Sequence, residues 1–152
     1  MTFLKDTNSG KLLKEIRANS PLIWNISNFV SMDIAANILL SIGASPAMAH
    51  AIEEAESFAN LSKAINGALT INIGTFDKHW QKCAVKVANE AKLHNIPWVL
   101  DPVGAGASEF RSNNAKELLF LKPTVLRGNG SEIISISGIS NSCLLYTSDA
   151  AD

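Results

Sequence analysis

Cysteine is scarce in this sequence, with Cys83 and Cys143 as its two examples in 152 residues. They form no Cys-x-x-Cys pair, so we expect neither a disulfide framework nor a structural zinc site. The apolar runs are too short to cross a bilayer, and no secretory signal opens the chain. These absences favour a protein of the reducing cytoplasm without a membrane partner.

A strong excess of one charge is also missing. The formal net charge is -1, from 13 Lys and Arg against 14 Asp and Glu. No long basic run is present to bind nucleic acid, so we expect no nucleic-acid partner. Hydrophobic residues make up 47% and charged residues 18% of the chain. That balance excludes disorder and predicts one globular domain with a core.

Two glycine-rich phosphate-binding signatures are absent as well. There is no Gly-Lys-Ser/Thr loop, and the NISNFV turn after the first predicted strand contains no glycine. A nicotinamide-dependent dehydrogenase would need Gly-x-Gly-x-x-Gly there, so this class is disfavoured.

Strand-length apolar runs alternate with segments of helical period. Strands are predicted at 22–26, 46–49, 68–73, 97–100 and 124–126. Helices are predicted before the first strand, at 34–42, after 53–56, from the N-cap Asp77 through 91, at 113–121, and from 129 to about Gly138. This alternation predicts an α/β fold, a mostly parallel sheet between two helical layers. Ligands of such sheets bind beyond the carboxyl ends of the strands.

The LDPVGAG stretch, residues 100–106, follows one of these strands. Asp101 would point its carboxylate into the ligand edge, where it could bind Mg²⁺. Gly104 and Gly106 would let the backbone approach a phosphate. The alternative is an ordinary Asp-Pro turn that the glycines permit.

The RGNGSE stretch, residues 127–132, follows the next strand. Arg127 could contact nucleotide phosphates, helped by free amides at the helix start near Asn129. Glu132 could be a second acid near the metal, or simply a first-turn residue of a capped helix. Because Asp101 and Glu132 follow adjacent strands, we expect them on the same rim.

Two residues near the first strands could contact a small ring. Asn28 could hydrogen-bond a heterocycle, or N-cap a helix over 29–42. Met48 could line an apolar pocket, or pack in the core.

The remaining candidate side chains point to no chemistry. His50, His79 and His94 lack metal-ligand spacing, and the last two are predicted to lie on the surface. Cys83 is predicted to be a small buried hydrophobe.

Several segments together resemble the hydroxyethylthiazole kinases, in that family's order and spacing, over about residues 10–140. They are SPLIWNISNFV (20–30), ANILLSIGASPAMAHAIEEAESF (36–58), INIGT (71–75), PWVLDPVGAGASEFR (97–111) and VLRGNGSEI (125–133).

The resemblance implies a ribokinase-like three-layer fold and a homotrimer with sites between subunits. It implies transfer of the ATP γ-phosphate to the hydroxyl of 4-methyl-5-(2-hydroxyethyl)thiazole, with Mg²⁺, in thiamin biosynthesis or salvage. The matching positions are Asn28, Met48 and Gly74 for the thiazole, Asp101 and Glu132 for Mg²⁺, and Arg127 and Asn129 for ATP.

The chain departs from the family's pattern in three places. Trp24 stands where the family usually has His, and Asp33-Ile34 stands for Asn-Phe. The family's Gly-Thr/Ala-Gly-Cys motif is absent, so no catalytic residue is assigned and this chain alone is expected to be inactive. We interpret residues 1–140 as the N-terminal part of one kinase domain of about five βα units. Residues 141–152 are expected to be foreign sequence, with a frayed natural terminus as the alternative.

Two further functions stay open. One is another ribokinase-like kinase, for hydroxymethylpyrimidine or a sugar, although the SNFV and GASPAM segments favour the thiazole. The other is a non-catalytic trimerising or binding module.

Overall fold

A computed structural model describes residues 8–138. The tail expected to be foreign, residues 141–152, lies outside the described residues. Helices and strands alternate along the chain, and a short 3₁₀ turn (Ile52–Glu54) leads into the third helix. The elements are α1 (Asn8–Asn19), β1 (Leu22–Ile26), α2 (Met32–Ile42), β2 (Ser45–Ala47), α3 (Ala55–Ala64), β3 (Ala68–Asn72), α4 (Lys78–His94), β4 (Trp98–Asp101), α5 (Glu109–Phe120), β5 (Val125–Leu126) and α6 (Gly130–Ser137).

The strands form one parallel sheet in the order β2-β1-β3-β4-β5. This confirms the predicted α/β class. The connection from β1 runs outward to β2, and the next one returns past β1 to β3. With right-handed crossovers, this reversal places α2 on one face of the sheet and α3, α4 and α5 on the other. All strands end at one edge, where Asn72 of β3 pairs with Asp101 of β4.

The two faces of the sheet differ in cover. One face carries Trp24, Leu69, Ile71 and Leu100, which are fully buried beneath α3, α4 and α5. The residues that alternate with them are less covered, and Val125 of β5 is 50% exposed. On that side α1 packs on α2 and α2 packs on β2, yet no residue of α2 is buried. The sheet is therefore well packed on one face and open over β3 to β5 on the other.

Several helix ends follow the sequence signals. Asp77 caps α4 by accepting a hydrogen bond from the Trp80 amide, and Asn129 caps α6. Gly43 and Gly138 take the left-handed conformation that ends α2 and α6. These helix boundaries were therefore predictable from capping residues in the sequence.

Other predicted boundaries are wrong. The second helix starts at Met32, between the predicted start at 34 and the start at 29 that capping by Asn28 would require, because Asn28 Oδ1 accepts the amides of Val30 and Ser31 in a preceding turn. The fifth helix starts at Glu109 rather than at 113, because Ser108 caps it. The second strand covers Ser45–Ala47 instead of 46–49.

Single-residue expectations had mixed outcomes. Cys83 is buried, and His79 is exposed, as predicted. His94 is not a surface residue, because its side chain is 16% exposed and lies 3.7 Å from Glu90. Trp24 lies in the core against Phe58, and its Nε1 donates to the Ala49 carbonyl. Within residues 8–138, no helix has the length and apolar character needed to cross a bilayer.

Candidate active site

A row of hydrogen-bonded polar side chains runs along the carboxyl edge of the sheet. Asn28 Nδ2 donates to Asn72 Oδ1 at 2.7 Å, and Asn72 Nδ2 donates to Asp101 Oδ2 at 3.0 Å. Arg127 Nη1 donates to the same Asp101 oxygen at 2.8 Å. Parallel register brings these strand ends together, so the row links the ends of β1, β3, β4 and β5.

Asp101 is a largely buried carboxyl group at the centre of this row. Its side chain is 15% exposed. Burial raises the pKa of Asp101, the Arg127 guanidinium opposes that rise, and the negative charge of Glu132 adds to it. Asp101 and Glu132 are therefore electrostatic neighbours, as expected for two acids on one rim.

Glu132 occupies that rim with both carboxylate oxygens engaged. Its Oε2 accepts the Asn129 amide at 2.9 Å, and Asn129 Oδ1 accepts the Glu132 amide at 2.9 Å. This is a capping box. Glu132 Oε1 accepts the Gly104 amide at 3.0 Å, in the loop that follows Asp101. The capped-helix alternative is thus present, and the same side chain also ties α6 to the β4 loop.

Asp101 and Glu132 are the carboxylates of this edge that could hold a divalent cation. No cluster of three or more His, Cys, Asp or Glu side chains that could bind a metal is found between residues 8 and 138. Mg²⁺ is commonly held by one or two carboxylates together with water and substrate phosphates. Asp101, whose Oδ1 makes no hydrogen bond to the described residues, fits that requirement with Glu132 nearby.

A cavity of about 580 Å³ lies between α2 and the open face of the sheet. Its polar wall includes Asn25 and Thr70, which are joined by a 2.6 Å hydrogen bond from Thr70 Oγ1 to Asn25 Oδ1. The helix supplies an apolar wall of Ile34, Ala35, Ile38 and Leu39. A cavity with one polar and one apolar wall suits a small amphipathic molecule.

The predicted site residues divide around this cavity. Asn28, Asp101 and Arg127 line it. Met48, Gly74, Asn129 and Glu132 do not belong to its lining. Met48 follows β2 and is half-buried. The structure therefore brings three of the seven together in one cavity.

Gly74 has a steric reason to be glycine. A Cβ atom there would lie 2.6 Å from Asn28 Nδ2, which is closer than real contacts allow. The Gly74 amide also donates to Asn72 Oδ1 at 2.9 Å. Gly74 thus lets Asn28 approach Asn72, and this is its contribution to the site in the described structure.

Two residues of the site were missed by sequence reasoning. Asn72 connects Asn28 to Asp101, and Arg111 donates to the carbonyls of Ile73 (2.7 Å), Gly74 (2.6 Å) and Val103 (3.0 Å). Alternating polar residues in the ALTIN strand were the available signal for Asn72. Nothing in the local pattern of α5 indicates the long-range contacts of Arg111.

Comparisons with known proteins agree on one family. The model of the hydroxyethylthiazole kinase family matches residues 13–149. A hydroxyethylthiazole kinase of Rhizobium rhizogenes is 52% identical over 132 residues, which are 87% of this chain and 48% of the relative. One of Roseobacter denitrificans is 50% identical over 127 residues, 84% of this chain and 48% of the relative.

A solved structure gives the same result. The structure of a hydroxyethylthiazole kinase protein from Pyrococcus horikoshii matches with a TM-score of 0.80 and 44% identity. The match covers 91% of this chain and 51% of that one. The chain spans about half the length of the curated relatives it matches. On the family model, the relatives and the shared fold, this chain belongs to the hydroxyethylthiazole kinase family.

Proposed function

We propose that the whole protein transfers the γ-phosphate of ATP to the hydroxyl of 4-methyl-5-(2-hydroxyethyl)thiazole, in thiamin biosynthesis or salvage. The observation that carries this proposal is the pairing of Asp101 with Arg127 at the ligand edge of a chain from this family. Phosphoryl transfer depends on positioning and on charge compensation, and this pair offers both an acid and a guanidinium.

The nucleotide is assigned to the β4–β5 end of the edge. The Arg127 side chain is 77% exposed, so its remaining guanidinium donors are open to phosphate oxygens. The Asn129 and Glu132 amides are engaged in the capping box, so the Gly130 and Ser131 amides are the ones that would add to the attraction for an anion. Asn72 holds the Asp101 carboxylate in a fixed orientation beside Arg127.

A magnesium ion is proposed at the same end, with Asp101 as its direct or water-mediated ligand and Glu132 as a neighbouring negative charge. When bound, the ion would offset the charge of the phosphates. The side chains of this chain would prepare that position, since Asp101 Oδ1 is not used by any hydrogen bond within residues 8–138.

The alcohol is assigned to the β2–β1–β3 end of the edge. Asn28 has its Nδ2 group at the cavity and would donate a hydrogen bond to the heterocycle. The apolar wall of α2 suits a methylthiazole ring. Met48 and Gly74 belong to the loops at this end and are proposed to complete the thiazole pocket.

A homotrimeric, cytoplasmic protein is also proposed. The exposed apolar side chains Phe29, Val30, Ile34 and Ile38 support an interface through α2 and the turn before it. The buried free thiol of Cys83 suits a reducing compartment.

The test is a phosphorylation assay of the purified whole protein with labelled ATP and Mg²⁺. We expect the hydroxyethylthiazole to be phosphorylated, and an analogue without the hydroxyl to inhibit without reacting. Hydroxymethylpyrimidine and a sugar serve as competing alcohols. Preference for either of them over the thiazole would replace this proposal with another ribokinase-like kinase, and turnover of none would favour a binding module.

A further inference from the structure

We propose that His50 is a positioning residue for the alcohol-binding end, because its imidazole joins the loop after β1 to the loop after β2. The inference rests on the proposed function, which assigns the alcohol to these loops.

The geometry begins with one hydrogen bond across the two loops. The Ser27 amide donates to His50 Nε2 at 3.0 Å. His50 lies two residues after Met48, in the loop that follows β2. Ser27 directly precedes Asn28 in the chain. The ring is therefore bonded to the backbone beside Asn28, and it belongs to the same loop as Met48, the other residue proposed to bind the thiazole.

Trp80, near the start of α4, also contacts Ser27. Its Nε1 donates to the Ser27 carbonyl at 2.9 Å. The Trp80 ring packs against the His50 ring with centroids 4.6 Å apart, and against the Phe29 ring with centroids 4.8 Å apart. Both the amide and the carbonyl of Ser27, a residue only 5% exposed, are thus fixed by side chains from outside its own loop.

The hydrogen bond requires a neutral imidazole with a free electron pair on Nε2. Burial lowers the pKa of His50 and outweighs a smaller raising effect from the Met48 and Ser27 backbone, and a lowered pKa favours this form. If the acceptor were removed, the Ser27 amide would be left buried without a partner, and an unpaired buried donor is costly. The turn would then move to find another acceptor, and Asn28 would move with it.

The effect should be confined to one end of the edge. His50 contacts the loops after β1 and β2, whereas Asp101 and Arg127 lie at the ends of β4 and β5. We therefore expect His50 to influence the KM for the alcohol more than the KM for ATP.

The test compares three variants of the whole protein. His50→Phe keeps an aromatic ring against Trp80 and removes the acceptor, whereas His50→Gln keeps an acceptor at a similar reach. His79→Phe is the matched control, because His79 is exposed and packs on the same Trp80 at 6.5 Å. We expect His50→Phe to raise the alcohol KM about tenfold, the scale of one lost hydrogen bond, with the ATP KM within about twofold. His50→Gln should restore most of the alcohol KM, and His79→Phe should leave it unchanged.

A second readout needs no activity. Amide hydrogen exchange at Ser27, measured without substrate, should be about tenfold faster in His50→Phe and near the parent rate in the other two variants. Should His50→Phe not fold, His50→Leu takes its place. An unchanged alcohol KM in the acceptor-less variant overturns the positioning role, and an unchanged Ser27 exchange rate overturns the hydrogen bond itself. If the unmutated whole protein does not phosphorylate the thiazole, the proposed function is refuted. The exchange rates still test the hydrogen bond between Ser27 and His50 in that case.

Discussion

Arg127 Nη1 lies 2.8 Å from Asp101 Oδ2, and the two partners of this ion pair differ sharply in exposure. The Arg127 side chain is 77% exposed and the Asp101 side chain 15%. The acid is fixed by its surroundings, whereas the guanidinium remains open to a second anion. Because the guanidinium is solvated, this ion pair contributes little to stability, and its importance lies in the charge that it places at the edge.

Replacing Asp101 by Asn in the whole protein should lower kcat by at least about 10²-fold, because charge positioning supplies most of phosphoryl-transfer catalysis. Fold stability should change little, since burial already disfavours the charged form of Asp101 and Asn keeps an oxygen for Asn72. Steady-state kinetics at saturating Mg²⁺ and urea denaturation measure the two effects. Glu117→Gln, an exposed charge loss on α5, is the control, and near-normal turnover of Asp101→Asn would refute the assigned role.

Replacing Arg127 by Gln should move the acid limb of the pH–rate profile to higher pH. The guanidinium lowers the pKa of Asp101 against the raising effect of burial, so its loss lets that pKa rise further. Activity that needs the ionised carboxylate is then lost at a higher pH as the solution is acidified. The KM for ATP should rise as well. Lys82→Gln, which removes one exposed positive charge from α4, is the control and should change neither the acid limb nor the KM for ATP. An acid limb that does not move in Arg127→Gln would count against a requirement for ionised Asp101.

Replacing Gly74 by Ala should weaken alcohol binding and destabilise the fold by about 1–3 kcal/mol, the usual effect of an added methyl in a tight site. The new Cβ would lie 2.6 Å from Asn28 Nδ2, so Asn28 must leave Asn72. Thermal unfolding and the alcohol KM measure the change. Gly130→Ala is the matched control, because a Cβ there meets nothing within 4 Å. Equal behaviour of the two variants would mean that Asn28 is not held as described.

The 152-residue chain, expressed by itself, should associate and should lack thiazole kinase activity. Ile34 and Ile38 of α2 are 59% and 56% exposed, and the β5 edge is open. Exposed apolar faces and strand edges promote association. The double change Ile34→Gln with Ile38→Gln should reduce the sedimentation coefficient, whereas Leu93→Gln, a lone exposed leucine on α4, should not. A monodisperse monomer, or turnover within about tenfold of the whole protein, would contradict this expectation.

The sequence predicted the fold well because its signals are local. Alternating apolar runs indicate a parallel sheet, and Asp77 and Asn129 are capping residues wherever a helix begins. The position of Asp101 at a strand end follows from the same pattern. These features depend on residues only a few positions apart.

The parts that escaped prediction depend on residues distant in sequence. Asn72 meets Asn28 and Asp101 only because of strand order and register, which periodicity does not reveal. Arg111 reaches carbonyls 37 and 38 positions away. His94 is covered although its helix is rich in Lys, because its side chain lies beside Glu90 and the segments that precede β3 and β4.

The amide of Asn72 can stand in only one orientation. Its oxygen accepts from Asn28 and from the Gly74 amide, and its nitrogen donates to Asp101. If the amide were rotated by a half-turn, the Asn72 NH₂ group would face the Asn28 and Gly74 donors, and the Asn72 oxygen would face the Asp101 carboxylate. If a ligand drew Asn28 away, the Gly74 amide would remain as a donor that maintains this orientation, and Asn72 would keep its hydrogen bond to Asp101. The Asp101 carboxylate would thereby stay in place whether or not the alcohol end of the edge is occupied.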